Sequence, residues 1–144
     1  MNKDEKRIAR CACLKILYAN SSSGNLFSDV LGNFFNENKD SEDFLSEEQI
    51  KYATLLFDLT VSNENSLDDL IKSKLQNWKI ERVALMDKMI LRMSLAEMLY
   101  VNSVPPKVSI SEGVEIAKEF STEDSSSFVN GILDAVYNEK KDSL

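Results

Sequence analysis

Histidine is absent from this 144-residue chain, and cysteine, proline and glycine are scarce at two, two and four residues. Without an imidazole there is no Ser-His-Asp or Cys-His arrangement and no histidine metal ligand. Cys11 and Cys13 are two residues apart. On a helix they point to nearly opposite sides, poorly placed to share a metal or a disulfide, and they read as small buried residues. No glycine-rich phosphate loop occurs. No apolar run reaches the roughly 18 residues a membrane span needs, and the charged N-terminus has no signal-peptide core behind it. These absences argue against an enzyme, a bound metal or cofactor, and a membrane protein, and the expected compartment is the cytoplasm.

What is present argues for helices. Leu, Ile, Lys, Glu and Ala are abundant, with 43% hydrophobic and 28% charged residues, proportions ordinary for a globular domain. The length suits one domain with a real core. The net charge of −7 opposes generic nucleic-acid binding, but the charge is unevenly spread. Residues 1–15 hold five cations (Lys3, Lys6, Arg7, Arg10, Lys15) against Asp4 and Glu5, a balance of +3. Residues 36–69 hold ten acids against Lys39 and Lys51, a balance of −8. From charge alone this reads either as a local basic patch on an acidic body or as solvated helical faces.

Apolar residues recur at helical spacing over 4–19 and again from Leu26 to Phe35, followed by a polar, acidic loop over 36–44. Four Ser-initiated boundary signals follow. Ser46-Glu-Glu-Gln49 and Ser109-Ile-Ser-Glu112 are capping boxes, in which Ser and Gln or Glu each satisfy an orphan backbone N–H. Ser66-Leu-Asp-Asp69 and Ser121-Thr-Glu-Asp124 are versions with Asp at the third helical position. The span 83–102 is apolar nearly all round, which predicts a central helix. Arg92 and Glu97 within it need partners, and structural ion pairing is the expected use. Pro105-Pro106 fixes an extended approach to the next helix. In the last helix Phe128, Val129, Ile132, Leu133, Val136 and Tyr137 form the apolar stripe, with Asn130 and Gly131 inside it. Because a mid-helix Gly costs roughly 1 kcal/mol relative to Ala, Gly131 predicts close approach of another helix, and Asn130 a buried polar tie. The expected architecture is all-α, with about seven helices in two small helical subdomains, approximately 1–65 and 66–140.

Several ordered blocks are more specific than their periodicity. They are Arg7-Ile-Ala-Arg10-Cys-Ala-Cys-Leu-Lys-Ile-Leu-Tyr18, Trp78-Lys-Ile-Glu-Arg-Val, Met86-Asp-Lys-Met-Ile-Leu-Arg-Met-Ser-Leu-Ala-Glu-Met, Val104-Pro-Pro-Lys-Val-Ser-Ile-Ser-Glu-Gly-Val-Glu-Ile-Ala-Lys and Phe128-Val-Asn-Gly-Ile-Leu-Asp. Together they closely resemble the NusB family of transcription antitermination factors. Over about 20–75 the likeness is mainly of pattern and length. Two departures are Ile8, where a basic residue is common, and Ser111 in place of the usual Asn.

The resemblance implies a non-enzymatic role: with ribosomal protein NusE, the family binds a boxA-type single-stranded element in nascent RNA. It thereby helps the RNA polymerase antitermination complex read through terminators, notably in ribosomal RNA operons. Two other readings are the RNA-binding module of an RNA methyltransferase system and a purely structural helical interaction protein. A homodimer stays open, since some relatives self-associate. For the RNA, Lys3, Lys6, Arg7 and Arg10 are candidate phosphate ligands. Tyr18 and Phe128 match family positions associated with RNA, near a short polar turn holding the further candidates Asp124 and Ser125; Asp124 either accepts hydrogen bonds from base donors or only caps its helix, and Phe128 either stacks on a base or fills the core. Asp87 matches a position facing NusE, or is a plain surface carboxylate.

Overall fold

A computed structural model describes residues 1–23, 45–76 and 79–144. The expected second helix over 26–35, the acidic loop over 36–44 and Trp78 lie outside the described residues. These form six α-helices and two short 3₁₀ turns, with no strand among them. The helices are α1 (Lys3–Ser23), α2 (Glu47–Ser62), α3 (Glu64–Lys74), α4 (Leu85–Tyr100), α5 (Pro106–Phe120) and α6 (Glu123–Lys140). The chain divides into two compact units, Met1–Phe57 and Asp58–Leu144, the division falling inside α2.

In the first unit α1 and α2 are joined at their starts. Asn2 caps α1, its Oδ1 accepting from the Glu5 backbone N–H at 2.8 Å. Ser46 and Gln49 make the reciprocal capping box expected of them: Gln49 N–H donates to Ser46 Oγ at 3.2 Å and Ser46 N–H donates to Gln49 Oε1 at 2.9 Å. Gln49 then uses its Nε2 to donate to the Glu5 carbonyl at 3.0 Å, tying α2 to α1. Ala9, Ala12, Cys13, Leu14, Ile16 and Leu17 of α1 are buried.

The second unit is built around α4, which packs against α3, α5 and α6. Ten of its residues are buried, among them Met89, Ile90, Leu91, Met93, Leu95 and Met98, as an all-round apolar helix requires. The Arg92 guanidinium forms a two-point bridge to Asp68 of α3, with Nε and Nη2 each 2.7 Å from a carboxylate oxygen. A third contact runs from Nη1 to Glu64 at 2.9 Å. Glu97 is buried and has an interaction partner within the chain.

Three of the four expected caps shift. Helix α3 starts at Glu64, two residues before Ser66, with Asn63 preceding it. Helix α5 starts at Pro106 rather than after Ser109. Proline suits the first helical position because its missing N–H would be an orphan there and its φ is already helical. Ser109 is left inside the helix, its buried Oγ without a hydrogen-bond partner. In α6 the cap is Thr122, one residue after Ser121, and its Oγ1 accepts from the Ser125 N–H at 3.1 Å.

The reading of Asn130 and Gly131 is also corrected. Both are exposed, and a Cβ on Gly131 would meet no atom within 4 Å. The close approach occurs at Gly113 of α5 instead. A Cβ there would fall 2.6 Å from Ser94 Oγ of α4 and 3.1 Å from Leu133 Cδ1 of α6. The stripe itself stands, with Val129, Ile132, Leu133 and Val136 buried and Phe128 and Tyr137 half-buried.

Candidate nucleic-acid interface

In the second unit, residues 124, 125 and 128 lie within little more than one turn of α6 and face the same side, as positions three and four apart do. Opposite them runs the approach to α4, where the 3₁₀ turn Ile80–Arg82 leads through Val83 and Ala84 into the helix. Between the two lies a cleft of about 240 Å³ lined by Arg82, Val83, Ala84, Asp87, Asp124, Ser125 and Phe128. Its walls are largely apolar, with one cationic and one anionic side chain exposed among them.

A hydrogen-bond network fixes the base of this cleft. Asp87 is 7% exposed. Its two oxygens each accept a hydroxyl, from Ser121 Oγ and from Ser125 Oγ, both at 2.9 Å. Ser125 Oγ accepts in turn from Thr122 Oγ1 at 3.1 Å. Asp87 also sits in the first turn of α4, where the helix dipole favours a negative charge. The arrangement clamps the loop before α6 to the start of α4. Asp87 is therefore neither a plain surface carboxylate nor a freely presented one.

In the first unit the opening cations differ in availability. Lys3 is exposed, and Lys6 and Arg7 are half-buried. The Lys6 ammonium lies 4.9 Å from the centroid of the Tyr52 ring, within cation–π range. Arg10, expected beside them as a surface cation, is 3% exposed and has partners within the chain. Tyr18 is 39% exposed. Among the described residues no cluster of His, Cys, Asp and Glu could hold a metal, and no helix is long and apolar enough to cross a membrane.

The family model described as NusB family matches residues 7–138. The chain belongs to the NusB family. A relative described as Transcription antitermination protein NusB, from Oleidesulfovibrio alaskensis, is 36% identical over 135 residues, covering 93% of this chain and 88% of that protein. A relative of the same description from Chloroherpeton thalassium is 46% identical over 101 residues, 69% of this chain. The match spans 48% of that protein, about half its length. A solved structure of antitermination factors NusB and NusE in complex with dsRNA has a TM-score of 0.84, covering 96% of this chain and 99% of that chain. At 23% identity this likeness concerns the NusB fold.

The cleft gathers four residues that the sequence reading named separately: Asp87, Asp124, Ser125 and Phe128. Sequence reading missed Arg82, Val83 and Ala84 as its other wall, and Ser121 as an anchor of Asp87. Arg82 stood inside the quoted Trp78-Lys-Ile-Glu-Arg-Val block. Its usable signal was a cation five residues before Asp87, just outside a helix.

Proposed function

We propose that this chain is a non-enzymatic, cytoplasmic transcription antitermination factor. It binds boxA-type single-stranded nascent RNA together with ribosomal protein NusE and promotes read-through by RNA polymerase, notably in ribosomal RNA operons. Membership of the NusB family supports the reading. So does the fold it shares with a NusB solved together with NusE in complex with dsRNA. The observation that carries it in this chain is the cleft joining Phe128, Asp124 and Ser125: unpaired RNA is read by aromatic stacking and by hydrogen bonds to exposed base edges.

In this reading Lys3, Lys6 and Arg7 neutralise phosphates, Tyr18 and Phe128 offer ring faces, and Asp124 and Ser125 offer polar contacts. Arg10 acts from within the core by holding α1. Asp87 supports the NusE-facing corner by fixing the joint between α4 and α6. Binding by the chain alone is weak, because few phosphate contacts are available and each is screened by salt. NusE adds contact area and further phosphate ligands. Titration of labelled boxA RNA with and without NusE tests this: tighter binding in its presence is expected, and equal affinity in both cases would count against it.

A further inference from the structure

The exposed face of α6 carries residues that a merely solvated helix has no use for. Asn130, Gly131, Asp134 and Asn138 are all exposed, and all four are poor helix formers where Glu, Lys or Gln would serve better. None offsets that cost inside the chain. Among the described residues the Asn130, Asp134 and Asn138 side chains have no hydrogen-bond or ion-pair partner, and a Cβ on Gly131 would meet nothing within 4 Å. Local rules broken together on one surface, with no internal gain, are expected where that surface serves a ligand. The three polar side chains line a groove of about 540 Å³ between α5 and α6; Gly131, seven residues before Asn138, shares their face. Lys107, at the start of α5, lies 6.0 Å from the centroid of the Tyr137 ring near the end of α6, so the two helices run antiparallel. Buried Ile110 and half-buried Val114 and Tyr137 form the apolar floor.

We infer that this groove binds an extended, basic segment of a partner protein, with Asn130 and Asn138 bonding its main chain and Asp134 its lysine or arginine. A carboxamide offers an acceptor and two donors, the complement of a peptide unit's N–H and C=O. Four residues along a helix advance about 6 Å, and two residues of an extended chain about 6.6 Å. Asn130, Asp134 and Asn138 therefore meet every second residue of a strand laid along α6. A docked helix has no such use for them, because its backbone groups are already paired internally. Main-chain bonds then hold the segment, and alternate side chains reach the floor and specify it. Of the three charged lining residues, Lys107 is held over Tyr137 and Glu115 is paired with Lys118 at 3.1 Å. Asp134 is left to attract a cation. A lining of two acids and one cation disfavours a phosphate backbone, so the occupant is a peptide and not RNA. The groove lies further along α6 than the cleft at Asp124 and Phe128, and it does not depend on the RNA reading.

The test is NMR titration of the isotopically labelled full chain with three acetylated, amidated peptides of alternating threonine and valine, whose central residue is lysine, norleucine or glutamate. The lysine peptide is expected to shift the backbone amides of Asn130, Asp134 and Asn138. It should bind about fivefold more tightly than the glutamate peptide, the worth of a partly exposed charge contact, with norleucine between them. Asp134→Asn should make the three peptides bind alike. Asn130→Ala combined with Asn138→Ala should weaken all of them about tenfold through two lost hydrogen bonds, while raising the urea midpoint because alanine is the better helix former. A merely structural role would instead lower the midpoint. Gly131→Gln is expected to show the same split, a more stable fold with weaker peptide capture.

The groove is overturned as a peptide site if no peptide moves these amides, if the lysine and glutamate peptides bind equally, or if the paired alanine variant binds as the parent does. A single-stranded RNA oligonucleotide or NusE that shifts the same amides while the peptides do not would likewise overturn it. Its failure and that of the RNA reading are distinguishable. A chain that binds boxA RNA with NusE but ignores all three peptides removes the groove and leaves the RNA reading. A chain that prefers the lysine peptide but binds RNA neither with nor without NusE does the reverse.

Discussion

Ser94 Oγ of α4 lies only 2.6 Å from where a Cβ on Gly113 of α5 would be. The two helices are therefore in backbone-to-side-chain contact at this point. Gly113→Ala is expected to destabilise the protein by about 1–3 kcal/mol, the usual cost of overpacking a well-filled core. Removing the hydroxyl in Ser94→Ala should recover part of that loss, because the next contacts, at 3.1 and 3.3 Å, are less severe. Gly131→Ala should act in the opposite sense, since open space surrounds it. It is expected to stabilise by roughly 0.5–1 kcal/mol through helix propensity and a less flexible unfolded chain. Urea denaturation of the three variants and the double mutant checks both signs.

That contrast shows how much the sequence made legible. Both glycines interrupt apolar helices, and only their angular position separates them. Gly113 has buried Ser109 four residues before it and buried Ala117 four after, whereas Gly131 has exposed Ser127 four before it and only half-buried Ala135 four after. Periodicity therefore held the answer, whereas the low helix propensity of Asn130-Gly131 points at the wrong helix. The all-round apolar pattern of α4 and the stripe of α6 were readable because burial imposes period directly on the chain. The cleft was less so. Arg82 and Phe128 share it because the approach to α4 packs beside α6, a tertiary relationship that no local spacing encodes.

The Arg92 bridge to Asp68 and Glu64 joins α4 to α3 with side chains that are 12%, 18% and 49% exposed. The Asp68 contact is the stronger, being shielded and two-pointed; the Glu64 contact is screened by solvent. Arg92→Ala is expected to cost about 2–3 kcal/mol, much of it from leaving Asp68 half-buried without its donor. Arg92→Lys keeps the charge but loses the fork and should cost about half as much. Glu64→Ala should change stability by less than about 0.5 kcal/mol. Thermal or urea unfolding orders the three variants, and an equal effect of Glu64 and Arg92 substitutions would contradict the ranking.

The two Ser-x-x-Gln or Ser-x-x-Glu motifs are expected to respond differently to the same change. Ser46→Ala removes a hydroxyl that accepts from the Gln49 N–H and should cost about 1 kcal/mol, as N-cap losses do. Ser109→Ala removes a buried Oγ that has no partner, so it should be neutral or slightly stabilising, because an unsatisfied buried hydroxyl only contributes its desolvation penalty. The local motif is the same; the difference is that Pro106 starts α5 a turn earlier. Equilibrium unfolding of both alanine variants distinguishes a working cap from a motif carried inside a helix.

The cations of α1 should separate by salt dependence. Each phosphate contact to a single strand contributes about −0.7 to the slope of log affinity against log salt. Lys3→Ala and Arg7→Ala are each expected to flatten the slope by up to that amount without altering stability by more than about 0.5 kcal/mol. Lys6→Ala should flatten it and also lose the contact over Tyr52, a further cost of about 0.5–1 kcal/mol. Tyr52→Leu removes only the ring, so it should leave the slope near the parent value. Arg10, being 3% exposed and with partners within the chain, should show the reverse pattern: Arg10→Ala is expected to destabilise by about 2–4 kcal/mol through the lost packing and interactions of a buried guanidinium. At temperatures where that variant remains folded, its salt slope should match the parent. A flattened slope for Arg10→Ala with unchanged stability would place its guanidinium on the RNA instead of in the core.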